Sequence, residues 1–142
     1  ADLLDPAVQG TLSLLQSAST SPTVKRVVLA SSFSAIYQRL DGSASVAKVY
    51  TEDDWSDAPE QLEREGIGAN PLLIYSAAKT LAEKAAWDFV KERQGAEEGK
   101  LGWDLAVLNP PLIYGVRFSE SFPPVSGLWR VLSFIMLSSL PS

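Results

Sequence analysis

The chain has 142 residues, of which 46% are hydrophobic, and its 17 acidic and 12 basic residues leave a formal net charge of -5. It contains neither histidine nor cysteine, which excludes Ser-His-Asp hydrolysis, thiol catalysis, disulfides and any zinc site built on those residues. The basic residues are scattered rather than gathered into a stripe, so the chain is not expected to bind nucleic acid.

The first predicted element is a helix. Asp5-Pro6 is a start signal, because Asp accepts bonds from the free first amides and Pro tolerates the first helical position. Val8, Leu12 and Leu15 form its apolar stripe, and small residues, Ser, Thr and Pro over 17–22 end it. Residues 24–31 (V-K-R-V-V-L-A-S) follow as a strand whose centre reads as buried on both faces, the pattern of a parallel sheet. This strand delivers Ser31 and Ser32.

Residues 33–69 read as a long irregular polar excursion, with Asp41-Gly42 as a turn signal and an acidic patch around Trp55. Asn70-Pro71 repeats the helix start. The helix is predicted to run to about Gln94, with a narrow stripe of mainly small residues (Ala78, Ala82, Ala85, Ala86, Phe89) suited to close packing. A polar surface connection over 95–102 leads to a second strand at 104–109, stopped by Pro110-Pro111. Residues 127–140 are apolar but shorter than the ~18 residues of a membrane span and interrupted by Arg130, so a buried or half-buried helix is expected there and no membrane partner.

Helix, strand, excursion, helix, strand is the repeating unit of an α/β fold with a parallel sheet. Ligands of such sheets sit beyond the carboxyl ends of the strands. Ser32, residues 110–115 and the start of the second long helix all fall at that end.

In the run Tyr75-Ser76-Ala77-Ala78-Lys79, the four-residue spacing puts a phenol and an ammonium on one helix face. A tyrosine hydroxyl titrates near ~10, and an adjacent ammonium favours the phenolate, which brings the phenol toward acid-base work near neutral pH. A serine hydroxyl opposite it would hold a substrate oxygen while Tyr75 gives or takes the proton. No side chain donates hydride, so such a site needs a nicotinamide cofactor. Ser31 is expected to be a capping or strand-end hydroxyl.

With these residues in place, the sequence resembles the extended short-chain dehydrogenase/reductase family, in its dihydroflavonol reductase and fungal aldehyde or ketone reductase branch. The likeness is carried by Asp5-Pro6-Ala7-Val8 with Gly10-Thr11, by Val27-Val28-Leu29-Ala30-Ser31-Ser32, and by Asp54-Trp55-Ser56-Asp57. It continues through the stretch from Tyr75 to Glu83 (Y-S-A-A-K-T-L-A-E) and in Asn109-Pro110-Pro111-Leu112-Ile113-Tyr114-Gly115. The resemblance implies a partial Rossmann-like parallel sheet with flanking helices. It assigns Ser32 to orienting the substrate carbonyl, Tyr75 to general acid, and Lys79 to lowering the phenol pKa and bonding the nicotinamide ribose. It further implies that Pro110, Pro111, Leu112 and Ile113 line the nicotinamide, that the cofactor is NADP with NAD as the alternative, and that no metal takes part. The chain departs from the family pattern at Ser13, where asparagine is frequent, and at Ala78, where serine is.

Family members begin with a strand and a glycine-rich turn that receives the pyrophosphate, an element this sequence lacks. Gly66-Ile67-Gly68 is no substitute, because no strand precedes it and Pro71 takes the place of the third glycine. The expectation is therefore the central and C-terminal part of a Rossmann-type domain over 1–142, missing its glycine-rich N-terminal half, with 116–142 opening a truncated substrate-binding region. The expected activity is reduction of a small aldehyde or ketone, in the cytosol, with self-association through an exposed sheet edge or helices. The alternatives are a sugar-nucleotide epimerase or dehydratase of the same superfamily, and a catalytically silent α/β fragment or interaction module.

Overall fold

The structure is a computed structural model that describes residues 3–37, 49–94 and 100–111. The chain divides into two units, Ala1–Asn109 and Pro110–Ser142, and Pro110 and Pro111 are the described residues of the second. The turn at Asp41-Gly42, the apolar run 127–140 and the region 116–142 lie outside the described residues.

In the first unit, helix α1 (Leu4–Ser19) leads to strand β1 (Arg26–Ala30). A 3-10 turn over Phe33–Ala35, helix α2 (Ala58–Glu65) and a second 3-10 turn over Gly66–Gly68 follow. Helix α3 (Pro71–Gln94) and strand β2 (Asp104–Leu108) complete it. The two strands pair in parallel, with Val27 opposite Leu105 and Leu29 opposite Val107. Parallel strands cannot be joined by a tight hairpin, and here the crossover between them contains α2 and α3.

The predicted α/β order and both long helices are present, with differences that have physical causes. α1 starts one residue before Asp5, with Leu3 as its N-cap and no side-chain cap, so Asp5 lies inside the first turn and serves only as a negative charge near the positive end of the helix dipole. Asn70 does cap α3: its Oδ1 accepts from the Leu72 amide at 2.9 Å.

The stretch 33–69 is not irregular throughout. Its α2 has Pro59 in the first turn, acidic Glu60 there, basic Arg64 in the last turn and Gly66 as C-cap at φ 72°, a left-handed conformation open to glycine without a Cβ penalty. The tryptophan-containing acidic element sits just before α2 and ties three elements together. The Ser56 amide donates to the Ala35 carbonyl at 2.8 Å, Ser56 Oγ accepts from the Ala58 amide, and the Lys84 ammonium of α3 lies 5.4 Å from the Trp55 ring centre.

β1 is not buried on both faces. Val27 and Leu29 are half-buried, whereas Arg26, Val28 and Ala30 are exposed. The half-buried face joins a core of Leu15, Ala86, Val90 and Trp103 between α1, α3 and the sheet. A second core of Ala58, Ala69, Leu73 and Ala77 seats α2 on the N-terminal half of α3. Four of the nine buried residues of α3 are alanines, Ala77, Ala78, Ala82 and Ala86, three of them from the predicted stripe, whose other members Ala85 and Phe89 are half-buried. On the exposed face, Arg26 Nε donates to Asp104 Oδ1 at 2.8 Å between directly paired residues. This bond holds the Asp104 carboxyl below the usual carboxylate range and the Arg26 guanidinium above its own.

Candidate active site

α3 carries the phenol and the amine. Tyr75 and Lys79 are both helical and four residues apart, so they stand one above the other on one face. Tyr75 is 45% exposed and Lys79 is half-buried. No hydrogen bond joins either of them to another described residue, so among these residues the phenol hydroxyl and the ammonium are open to an incoming molecule.

Ser32 ends the segment after β1 and is buried. Its Oγ accepts from the Ser34 amide at 3.2 Å and makes Ser32 the N-cap of the 3-10 turn that follows. Of the two roles expected of Ser31, capping belongs to Ser32, while Ser31 directly follows the last residue of β1 and its buried Oγ has no partner among the described residues. Capping does not disqualify Ser32 as a donor. A hydroxyl has one hydrogen and two lone pairs; the Ser34 amide occupies a lone pair, which fixes the rotamer and leaves the hydrogen for a ligand oxygen.

The ends of both strands and α3 are joined by a side chain that sequence reasoning passed over. Asn109, just beyond β2, donates through Nδ2 both to the Ser32 carbonyl at 3.1 Å and to Glu83 Oε2 at 2.7 Å. Glu83 is a buried residue of α3. Both residues fall within motifs that carry the family resemblance, but spacing alone gives no sign that the two would meet.

Of the sequence-predicted residues, the structure thus places Tyr75 and Lys79 on one helix face and connects Ser32 to that helix through Asn109. Pro110 and Pro111 open the second unit, and Leu112 and Ile113 lie outside the described residues. Phe33 at the start of the 3-10 turn clusters with Tyr37 and Tyr50, the ring centres lying 5.4 to 5.8 Å apart. Among the described residues no group of three acidic side chains is arranged to hold a metal ion, and no helix is long and apolar enough to cross a membrane.

The donor set fits the ribose and nicotinamide end of a dinucleotide: an ammonium with three hydrogens and a phenol that both donates and accepts, side by side for a vicinal diol. It does not extend to the pyrophosphate, because no described glycine follows a strand into a helix N-terminus.

Residues 1–139 match the NAD-binding family described as male sterility protein. The chain is 41% identical over 114 residues to an uncharacterized oxidoreductase of Schizosaccharomyces pombe, a match covering 80% of this chain and 31% of that protein. It is 38% identical over 116 residues to cinnamoyl-CoA reductase of Medicago truncatula, covering 81% and 30% respectively. Among solved structures, yeast methylglyoxal/isovaleraldehyde reductase complexed with NADPH superposes with a TM-score of 0.64 at 28% identity, over 82% of this chain and 32% of that one. The chain spans about a third of the length of the relatives it matches.

Proposed function

The chain belongs to the NAD-binding family described as male sterility protein, within the extended short-chain dehydrogenases/reductases, and from that premise we propose that the protein is an NADP-dependent reductase of small aldehydes or ketones. The observation that carries this reading is the face of α3 on which Tyr75 and Lys79 stand a turn apart, on the helix to which the Ser32 segment is tied. The relatives named as reductases, one of them complexed with NADPH, support it.

In this reading the bound nicotinamide supplies the hydride that reaches the carbonyl carbon. Ser32 donates its hydroxyl hydrogen to the carbonyl oxygen and orients it. Tyr75 delivers its phenolic proton to the same oxygen as the carbon–oxygen double bond becomes an alcohol. The phenolate left behind is stabilised by the Lys79 ammonium on the next turn, and the exposure of Tyr75 lets water return the proton. Lys79 and Tyr75 also bond the ribose hydroxyls. Pro110, Pro111, Leu112 and Ile113 line the nicotinamide through backbone contacts, the prolines offering carbonyls alone because they carry no N–H. The same reading puts the enzyme in the cytosol, with copies associating through an exposed sheet edge or helices.

The test uses the protein expressed from its complete reading frame, with NADPH oxidation followed in the presence of small aldehydes and ketones. Tyr75→Phe removes one hydroxyl and nothing else, and the expected result is a loss of turnover on the order of 10²- to 10⁴-fold with NADPH affinity unchanged. Retained turnover in this variant overturns the assignment of Tyr75 as the acid.

A further inference from the structure

We propose that Glu83 and Asn109 form a positioning strap that holds Ser32 against the helix bearing Tyr75 and Lys79. The proposal rests on the reductase reading for the purpose of the strap, though not for its existence. Ser32 is fixed at two points. Its Oγ is held by the Ser34 amide, and its carbonyl accepts from Asn109 Nδ2 and from the Ala35 amide. The second hydrogen of Nδ2 goes to Glu83 Oε2. With both hydrogens committed to oxygens, the amide can face only one way.

Glu83 follows Tyr75 and Lys79 at the same four-residue step, about 12 Å along the helix axis from Tyr75 at 1.5 Å per residue. The strap therefore sets the end of β1, the exit of β2 and α3 to a common reference. Glu83 is only 5% exposed, and a buried carboxylate kept away from water costs free energy unless its lone pairs are engaged. An acceptor in that place serves the Asn109 amide. Neither Glu83 nor Asn109 is a catalytic residue; both act through the placing of Ser32.

Three variants separate this from a merely structural role. Glu83→Gln keeps an oxygen that accepts from Asn109, Glu83→Met keeps the length and removes the acceptor, and Asn109→Asp sets a carboxylate against two oxygens. In carbonyl reduction, Glu83→Met and Asn109→Asp are expected to lower kcat by about tenfold or more, since small misplacements of a reacting group carry losses of that order. NADPH affinity should stay within about twofold of the parent, and Glu83→Gln should restore kcat to near the parent value. Parental kcat in Glu83→Met, or equal damage from Gln and Met, overturns the proposal.

A second readout needs no activity. In the 15N-labelled chain, the Asn109 side-chain amide protons should exchange slowly with solvent in the parent and in Glu83→Gln, and faster in Glu83→Met. Free exchange in the parent overturns the strap. A parent that reduces no carbonyl compound would overturn the reductase reading instead, and the exchange measurement would still decide the strap.

Discussion

A side-chain oxygen caps a helix only from the position just before its first turn, and Asp5 and Asn70, which both precede a proline at a predicted helix start, divide on that condition. Asn70 meets it and bonds the Leu72 amide. Asp5 lies inside the first turn, because the α1 ladder begins one residue earlier with the Ala7 amide donating to the Leu3 carbonyl. Asn70→Ala should therefore cost about 1 kcal/mol, the usual loss for a capping oxygen. Asp5→Ala should cost about 0.3 kcal/mol, the low end of a dipole interaction at an exposed site. Urea unfolding of the two variants measures both, and equal losses would refute the distinction. The same kind of local geometry governs Ser31 and Ser32. Their identities were legible as a strand-end pair, but which hydroxyl caps and which is left unpartnered depends on where the 3-10 turn begins, a shift of one residue that composition does not encode. Tyr75 and Lys79 were legible because helical periodicity alone places them together. Asn109 was not, since its two partners lie 77 and 26 residues away in the chain.

At the scale of elements, α3 was readable nearly to the residue, since a capped start, a run of helix-forming residues and a stripe of small side chains all agree. α2 was missed although it carries its own signals, proline at the start and glycine at the end, because it lies in a polar stretch with too short an apolar repeat to register as a helix. Trp103 was missed for a different reason. It stands at the edge of a polar connection, yet it is 6% exposed and packs with Leu15, Ala86 and Val90, while its indole N–H has no partner among the described residues. The ring thus contributes apolar area, and its one polar atom opposes burial. Trp103→Ala should destabilise the chain by about 3 to 5 kcal/mol through the cavity it leaves. Trp103→Phe, which keeps an aromatic ring and deletes the unpaired donor, should cost well under half as much. Thermal unfolding compares the two; a phenylalanine variant as unstable as the alanine variant would mean that the indole N–H does find a partner in solution.

For the whole molecule, the difference between the sheet read from sequence and the sheet observed has a consequence for association. The run V-V-L-A reads as buried on both faces, and one of those faces is covered by α1 and α3. On the other, Val28 is 56% and Leu108 58% exposed, with Leu108 directly opposite the exposed Ala30 in the parallel register. No described helix packs there. Apolar strand faces and unpaired strand edges are surfaces on which other chains dock, and parallel sheets ordinarily have both faces covered. The 142-residue chain is therefore expected to form oligomers at micromolar concentration. The Arg26–Asp104 pair lies on the same face at the other end of the strands, so a polar replacement at the exposed end would leave it intact. Leu108→Lys combined with Val28→Thr should shift the population toward monomer while retaining the helical signal of α1 and α3. Light scattering with circular dichroism measures both quantities. A monodisperse monomer in the parent chain would show that this face is satisfied without a partner, and oligomers unchanged in the double variant would place the contact elsewhere on the molecule.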